Sequence, residues 1–141
     1  MTKILIVDDE PDILLMLRVN LEAEGYQTAL AADGETALRR IADERPDLIL
    51  LDVMMPVVDG WGVLEALDRD VFAHRVVVLS AKSAERDVTR ALELGASAYL
   101  SKPFDPDELI EVIGRVLSST PAQLEEERTR LLARVAGSAA G

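Results

Sequence analysis

Carboxylate side chains that could hold a cation follow two apolar runs of the chain. Asp8 and Asp9 come directly after KILIV at residues 3–7, and Asp52 comes directly after LILL at residues 48–51. Such runs are typical of buried strands, and the carboxyl ends of parallel strands lie at one edge of a sheet. A strand-end aspartate can simply accept bonds from loop amides, but three acids at one edge repel one another unless a cation neutralises them. Ligands that are all oxygen favour a hard ion, so the pattern predicts a Mg²⁺ site.

A hydroxyl and an ammonium group follow two further apolar runs. Ser80 follows RVVVL at residues 75–79, and Lys102 comes just after the short run at residues 98–100. Lys102 can pair with a phosphate or with a carboxylate of the acidic cluster. A hydroxyl, an ammonium and a metal around one carboxylate suit phosphoryl transfer, because that reaction depends on positioning and on neutralising negative charge.

The elements that position these side chains alternate between strand and helix patterns five times. This alternation predicts an α/β domain whose parallel sheet is covered on both faces by right-handed crossovers. The predicted strands are residues 3–7, 26–31, 48–51, 75–79 and 98–100, and the predicted helices are residues 12–24, 34–44, 61–69, 83–94 and one that opens at 105. In the first helix the predicted core face is Ile13, Leu17 and Leu21.

The last segment of the chain predicts a further helix at residues 123–135, with a narrow apolar stripe. A helix of this length is marginal alone, so we expect it to pack against the domain or to fray. We therefore divide the chain into a domain at residues 1–120 and a helical tail or truncated linker at residues 121–141.

Composition excludes several classes of function. The net charge of the 141 residues is −11, and it falls within residues 1–120 because the acidic and basic residues of 121–141 balance. Direct binding of nucleic acid or of an anionic membrane is therefore not expected. The absence of cysteine excludes disulfides, a thiol nucleophile and a cysteine-based zinc site. No apolar run approaches the ~20 residues of a membrane span and no signal-peptide pattern opens the chain, so we expect a cytoplasmic protein.

Four separated motifs resemble the receiver domain of two-component response regulators, the CheY-like family. They are the acidic pair at 8–9, DVMMPVVDG at 52–60, LSA at 79–81 and YLSKPF at 99–104, and the resemblance covers about residues 2–119. It implies a flavodoxin-like, doubly wound sheet of order 2-1-3-4-5 with five helices. It also implies phosphoryl transfer to Asp52 from a sensor histidine kinase or a phosphotransfer protein. Mg²⁺ would be held by Asp9, Asp52 and the backbone carbonyl of Met54, with Asp8 acting mostly through water.

The same resemblance implies a conformational switch. Lys102 and Ala81 would contact the phosphoryl group, Ser80 would swing its hydroxyl toward it, and Tyr99 would change rotamer with Ser80. The bond between Lys102 and Pro103 is expected to be cis. Serine at position 80 departs from the more frequent threonine of the family, so we expect a less sharply two-state switch.

Two partner surfaces are predicted from the residues around the acceptor. Met16 lies off the core face of the first helix, and Pro103 and Phe104 follow Lys102, so these three residues are expected to meet the kinase. The output face is expected on helix 4, strand 5 and helix 5, around Arg90, Leu94 and Tyr99. There it would bind a downstream protein or a second copy of the chain.

Alternative readings remain for single residues and for the whole chain. Tyr99 fits ordinary strand packing, Trp61 fits a core position better than a sensor, and His74 fits the surface.

A phosphohydrolase would place a second acid where Met54 stands, and a flavodoxin-like cofactor site would need a phosphate-cradling first loop. We therefore expect a signalling switch rather than a turnover enzyme. The alternative is the receiver half of a DNA-binding transcriptional regulator, although ASAYL at residues 96–100 lacks an acidic pair that is frequent in the winged-helix subfamily.

Overall fold

The computed structural model describes residues 2–53, 60–67, 75–81 and 85–140 of the chain. Its strands are β1 (Lys3–Val7), β2 (Gln27–Ala31), β3 (Leu48–Asp52), β4 (Arg75–Ser80) and β5 (Ala98–Ser101). Its helices are α1 (Pro11–Ala23), α2 (Gly34–Glu44), α3 (Gly60–Ala66), α4 (Glu85–Glu93), α5 (Pro106–Ser118) and α6 (Pro121–Ala140). The described residues contain no helix that is long and apolar enough to span a membrane.

The five described strands form one parallel sheet in the order β2-β1-β3-β4-β5, which confirms the predicted fold class and topology. The register aligns Val7 with Leu51 and Asp52 with Leu79, so β1, β3 and β4 end at nearly the same level. Ser80 aligns with Ser101 at the end of β5. The polar residues at the ends of these strands therefore share one edge of the sheet.

The core has two layers, one on each face of the sheet. Alternate residues of β1, β3 and β4 point to opposite faces, because successive side chains of a strand alternate. The layer that includes Leu5, Ile49 and Val78 packs against α2, α3 and α4. The layer that includes Ile6 and Leu50 packs against α1 and α5. Since both faces are covered, the central strands are apolar throughout, which explains the unbroken apolar runs in the sequence.

The core face of α1 differs from the prediction by one position. Leu14, Leu17 and Leu21 are buried, whereas Ile13 is only partly buried at the margin of the same layer. Spacings of three and four residues both keep side chains on one helix face, so periodicity alone did not separate Ile13 from Leu14. Met16 lies outside the core, as predicted.

The tail forms a longer helix than the predicted residues 123–135, because α6 begins at Pro121. Its start is a capping box that the sequence analysis missed: the Gln123 N–H donates to the Thr120 hydroxyl, and the Thr120 N–H donates to the Gln123 side chain (3.1 and 2.8 Å). The helix packs against α4, and Leu124 contacts the layer of α1 and α5. The tail is therefore docked on the domain, as expected for a helix that is marginal alone.

Candidate functional site

Three polar side chains are buried at the carboxyl edge of the sheet. Asp8 is 1%, Asp52 is 3% and Ser80 is 0% exposed. β1, β3 and β4 are neighbours in the sheet, so residues from distant parts of the sequence meet there. Buried carboxylates are unfavourable without a positive partner, so their burial requires a cation at this edge.

Lys102 is the positive partner that the structure provides. Its Nζ lies 2.8 Å from Oδ2 of Asp8 and 3.3 Å from Oδ2 of Asp52. Its backbone N–H donates to the carbonyl of Ser80 at 2.8 Å, which ties the loop after β5 to the end of β4. The Lys102–Pro103 bond is cis, as the resemblance implied. The ammonium group thus bridges the acids that follow β1 and end β3.

The contacts of Lys102 keep it protonated. Burial alone would lower the pKa of Lys102, but the hydrogen bond that its ammonium donates to Asp8 and the negative charges of Asp52 and Asp8 outweigh burial, and the pKa is raised overall. Lys102 is therefore a fixed positive charge beside the carboxylate of Asp52.

The residues around Asp9 extend the acidic cluster toward solvent. Carboxylate oxygens of Asp8, Asp9 and Glu10 lie within 4.8 Å of one another, with Asp9 and Glu10 exposed. The Glu10 N–H donates to Oδ1 of Asp8 at 2.9 Å, so Asp8 is anchored on both of its oxygens. This oxygen-only donor set fits a hard cation such as Mg²⁺. Glu10 was not predicted as a candidate, although the run DDE was its signal, and Met54 lies outside the described residues.

Gly60 brings the start of α3 against the backbone of the central strand. A Cβ at this position would lie 2.3 Å from Cα of Val53 and 2.4 Å from the carbonyl oxygen of Asp52. Only glycine allows so close an approach. The sequence analysis read Gly60 as a turn residue, whereas the structure shows that it sets the packing behind Asp52.

Ser80 and Tyr99 are joined on the neighbouring strands β4 and β5. Their side chains form a hydrogen bond, and the Tyr99 ring is partly buried. Burial raises the pKa of the Tyr99 hydroxyl, the bond to Ser80 lowers it, and the charge of Asp87 on α4 raises it, so the pKa is raised overall. The two residues of the predicted switch are therefore in direct contact.

Arg90 connects α4 to α3. Its guanidinium carbon lies 4.3 Å from the centroid of the Trp61 ring, and its Nη2 lies 3.2 Å from Oε1 of Glu65. Trp61 is buried in the core, as predicted. Arg90 thus turns toward α3, while Leu94 is partly buried against the core.

The predicted docking residues lie on α1 and in the segment that follows Lys102. Met16 is 38% exposed, and Leu15 and Val19 beside it on α1 are 61% and 60% exposed. Pro103 is exposed, and Phe104 is partly buried against the layer of α1 and α5. Ala81 is exposed at the end of β4, and His74 lies outside the described residues.

Taken together, the described side chains can do one kind of chemistry. They present a buried carboxylate beside a fixed ammonium, next to oxygen ligands for a divalent cation and the buried hydroxyl of Ser80. Such a carboxylate is a nucleophile for a phosphoryl group, since the surrounding charges neutralise the phosphoryl oxygens.

Comparisons with known proteins agree with this arrangement. The chain is 47% identical over 107 residues to the alkaline phosphatase synthesis transcriptional regulatory protein PhoP of Bacillus subtilis, which covers 76% of the chain and 45% of that protein. It is 40% identical over 128 residues to the transcriptional regulatory protein KdpE of Mycobacterium tuberculosis, covering 91% of the chain and 56% of that protein. The chain thus spans about half the length of the curated relatives it matches.

Solved structures show the same fold and the same family. The chemotaxis protein CheY4 of Vibrio cholerae is 33% identical with a TM-score of 0.77, covering 82% of this chain and 98% of that one. The BeF3-activated receiver domain of RstA from Klebsiella pneumoniae is 30% identical with a TM-score of 0.78, covering 84% and 100%. The family profile described as the response regulator receiver domain matches residues 4–114. The chain therefore belongs to the response regulator receiver domain family and is a receiver domain of two-component signalling.

Proposed function

We propose that Asp52 is the phosphoryl acceptor of this receiver and that its phosphorylation switches a protein-interaction surface. The observation that carries the proposal is the position of the Asp52 carboxylate, buried at the end of the central strand with the ammonium of Lys102 at 3.3 Å. Asp8 shares the same ammonium, and Asp9 is held nearby at the rim. The positive charge of Lys102 suits a carboxylate that takes up a negatively charged phosphoryl group.

In the proposed reaction, an oxygen of Asp52 attacks the phosphorus of a phosphohistidine. The new P–O bond forms as the P–N bond breaks, and the released imidazole nitrogen keeps the electron pair and takes a proton from water. Mg²⁺ held by Asp9, Asp52 and the Met54 carbonyl, with Asp8 through water, would supply positive charge for the phosphoryl oxygens. Lys102 would keep its bond to Asp8 and turn its remaining donors to the phosphoryl group, beside Ala81.

The proposed switch starts from the bond between Ser80 and Tyr99. A phosphoryl group on Asp52 offers strong acceptor oxygens to the buried hydroxyl of Ser80. If Ser80 turns toward them, Tyr99 loses its partner and can adopt another rotamer. The equilibrium between the two states moves only as far as these differential contacts allow.

The donor is proposed to dock on α1 and on the loop after Lys102. Met16, Leu15 and Val19 expose an apolar surface on α1, and Pro103 and Phe104 lie at the corner beside the acceptor. A histidine kinase or phosphotransfer protein with an apolar helical surface would cover this patch.

Met16→Glu should slow phosphorylation by the kinase and leave phosphorylation by acetyl phosphate unchanged. Equal loss with both donors would show that Met16 supports the fold instead.

Intact mass spectrometry tests the acceptor. Acetyl phosphate and Mg²⁺ should add one phosphoryl group to the wild-type chain and none to Asp52→Asn. Asp43→Asn is the matched control, because Asp43 is exposed on α2. Labelling of Asp52→Asn, or undiminished labelling of the wild type in a chelator, would overturn the proposal.

A second candidate is that the chain serves as the receiver segment of a DNA-binding regulator. It is favoured by the relatives PhoP and KdpE, which are named as transcriptional regulatory proteins and are about twice as long as the matched segment. On this candidate, Asp52 would control a DNA-binding segment of the same polypeptide. Sequencing the gene tests it: an in-frame DNA-binding segment after this chain supports the candidate, and a stop codon there supports the stand-alone reading.

A further inference from the structure

Leu92 on α4 is a buried side chain outside the two described core layers. It is 1% exposed, yet among the described residues it belongs to neither of the two layers that flank the sheet. Its neighbour Ala91 is 0% exposed and does pack into the layer of α2, α3 and α4. Consecutive helix residues point about 100° apart, so Leu92 lies on a different side of α4 from Ala91. The helix that packs on α4 from outside the sheet is α6.

Contacts of α6 trace its path from α5 to α4. A groove of about 440 Å³ separates it from the end of α5 and the start of β5, and is lined by Ser97, Arg115 and Arg130 among others. Farther along, Nη1 of Arg128 lies 3.4 Å from the carbonyl oxygen of Gly95, just after the end of α4. The following apolar residues Leu131 and Val135 are partly buried. The helix therefore crosses the start of β5 and continues along α4.

Part of the stabilisation of α6 is internal to the helix and adds to its contacts with the domain. Arg130 pairs with Glu126 and Glu127, and Arg128 pairs with Glu125, all within α6 at spacings of three or four residues. The capping box closes its first turn. Pairs and caps of this kind favour the helical state of α6 when it is undocked, by a few tenths of a kcal/mol for each pair. The described apolar residues Leu131 and Val135 of α6 are only partly buried, so releasing them costs less than releasing fully buried side chains.

We propose that α6 is an intramolecular cap over the Leu92 side of α4, and that phosphorylation of Asp52 releases it. This inference rests on the proposed function. α4 is placed to respond to the acceptor, since the charge of Asp87 acts on Tyr99 and Arg90 stacks on Trp61. A shift of α4 changes the surface on which α6 rests. The cap and an output partner therefore compete for the same part of the predicted output face.

The absence of cysteine allows a direct test with single thiols. Leu92→Cys places a thiol under α6, and Ala91→Cys places a matched thiol one residue away against the sheet. Beryllofluoride with Mg²⁺ should speed alkylation of the Leu92→Cys thiol by about tenfold or more and leave Ala91→Cys protected, because only the former needs α6 to move. Equal protection of the two thiols in every condition would overturn the cap.

A substitution in α6 separates the cap from its regulation. In the Leu92→Cys chain, Leu131→Glu should expose the thiol without beryllofluoride, and the control Ala133→Glu on the exposed side of α6 should not. Faster hydrogen exchange of α6 amides in the wild type with beryllofluoride would support release without any thiol. If Leu131→Glu exposes the thiol but beryllofluoride does not, although acetyl phosphate labels Asp52, release by phosphorylation is overturned while the acceptor assignment stands.

Discussion

Among single residues, Lys102 joins the two buried acids of the site. Its ammonium is the one described cation within 4 Å of both Asp8 and Asp52. Sequence reasoning assigned it to a phosphate or to a carboxylate and left the choice open. The structure shows the second role, since distances between residues 8, 52 and 102 depend on the folded sheet.

Removing Lys102 should therefore destabilise the metal-free protein more than removing the charge of Asp52. Lys102→Met leaves two buried carboxylates without their partner, at a cost of about 3 kcal/mol or more. Asp52→Asn leaves the bond between Lys102 and Asp8 in place. Urea unfolding in a chelator measures both variants. Equal losses would contradict the bridging role of Lys102.

Tyr99 reports the state of Ser80 through its ionisation. The bond to Ser80 lowers the pKa of Tyr99 against the larger effect of burial, so Ser80→Ala should raise that pKa further. The raised pKa means that folding favours the neutral phenol, and this stabilisation is lost as the pH rises through the folded pKa. Ultraviolet titration in a Tyr26→Phe background isolates Tyr99, because the chain has two tyrosines. A titration unchanged by Ser80→Ala would exclude the bond.

At the scale of elements, α3 is set against the central strand by Gly60. Gly60→Ala would force Cβ into the backbone of Val53 and Asp52 and should cost about 1–3 kcal/mol. It should also slow phosphorylation, since Asp52 must shift. Gly114 in α5 is the matched control, because a Cβ there meets nothing within 4 Å. Gly114→Ala should stabilise the chain by about 0.5–1 kcal/mol, as alanine does in a helix. Equal effects of the two changes on urea unfolding would contradict the close approach.

Element positions were largely predictable, and the exceptions have one cause. Strand runs and helix stops are local, so β1, α2 and the start of α5 were placed within a residue or two. The choice of Leu14 over Ile13 and the turn of Arg90 toward Trp61 depend on neighbouring elements. Periodicity specifies a helix face only to within about one residue.

At the scale of the whole molecule, the negative charge of the chain and the binding of Mg²⁺ both affect thermal stability. The chain carries a net charge of −11, and its acidic cluster lies at one edge of the sheet. Mg²⁺ that binds only the folded state stabilises it by mass action, by about 2.7 kcal/mol at a hundredfold excess over Kd. Thermal melts with increasing MgCl₂ should therefore rise, and the rise should shrink in Asp9→Asn. NaCl at equal ionic strength is the control, and an equal rise with NaCl would mean general screening instead of a site.

The sequence alone determined the fold class, the acidic edge and the family, because each depends on local patterns. Apolar runs specify buried strands, and Asp8, Asp52 and Ser80 lie at their ends whatever the details of packing. Tertiary structure decided which acids Lys102 bridges, how closely Gly60 meets Asp52, and where α6 docks. These features are distances between segments far apart in the chain, and they follow from sheet order and helix packing rather than from any local periodicity.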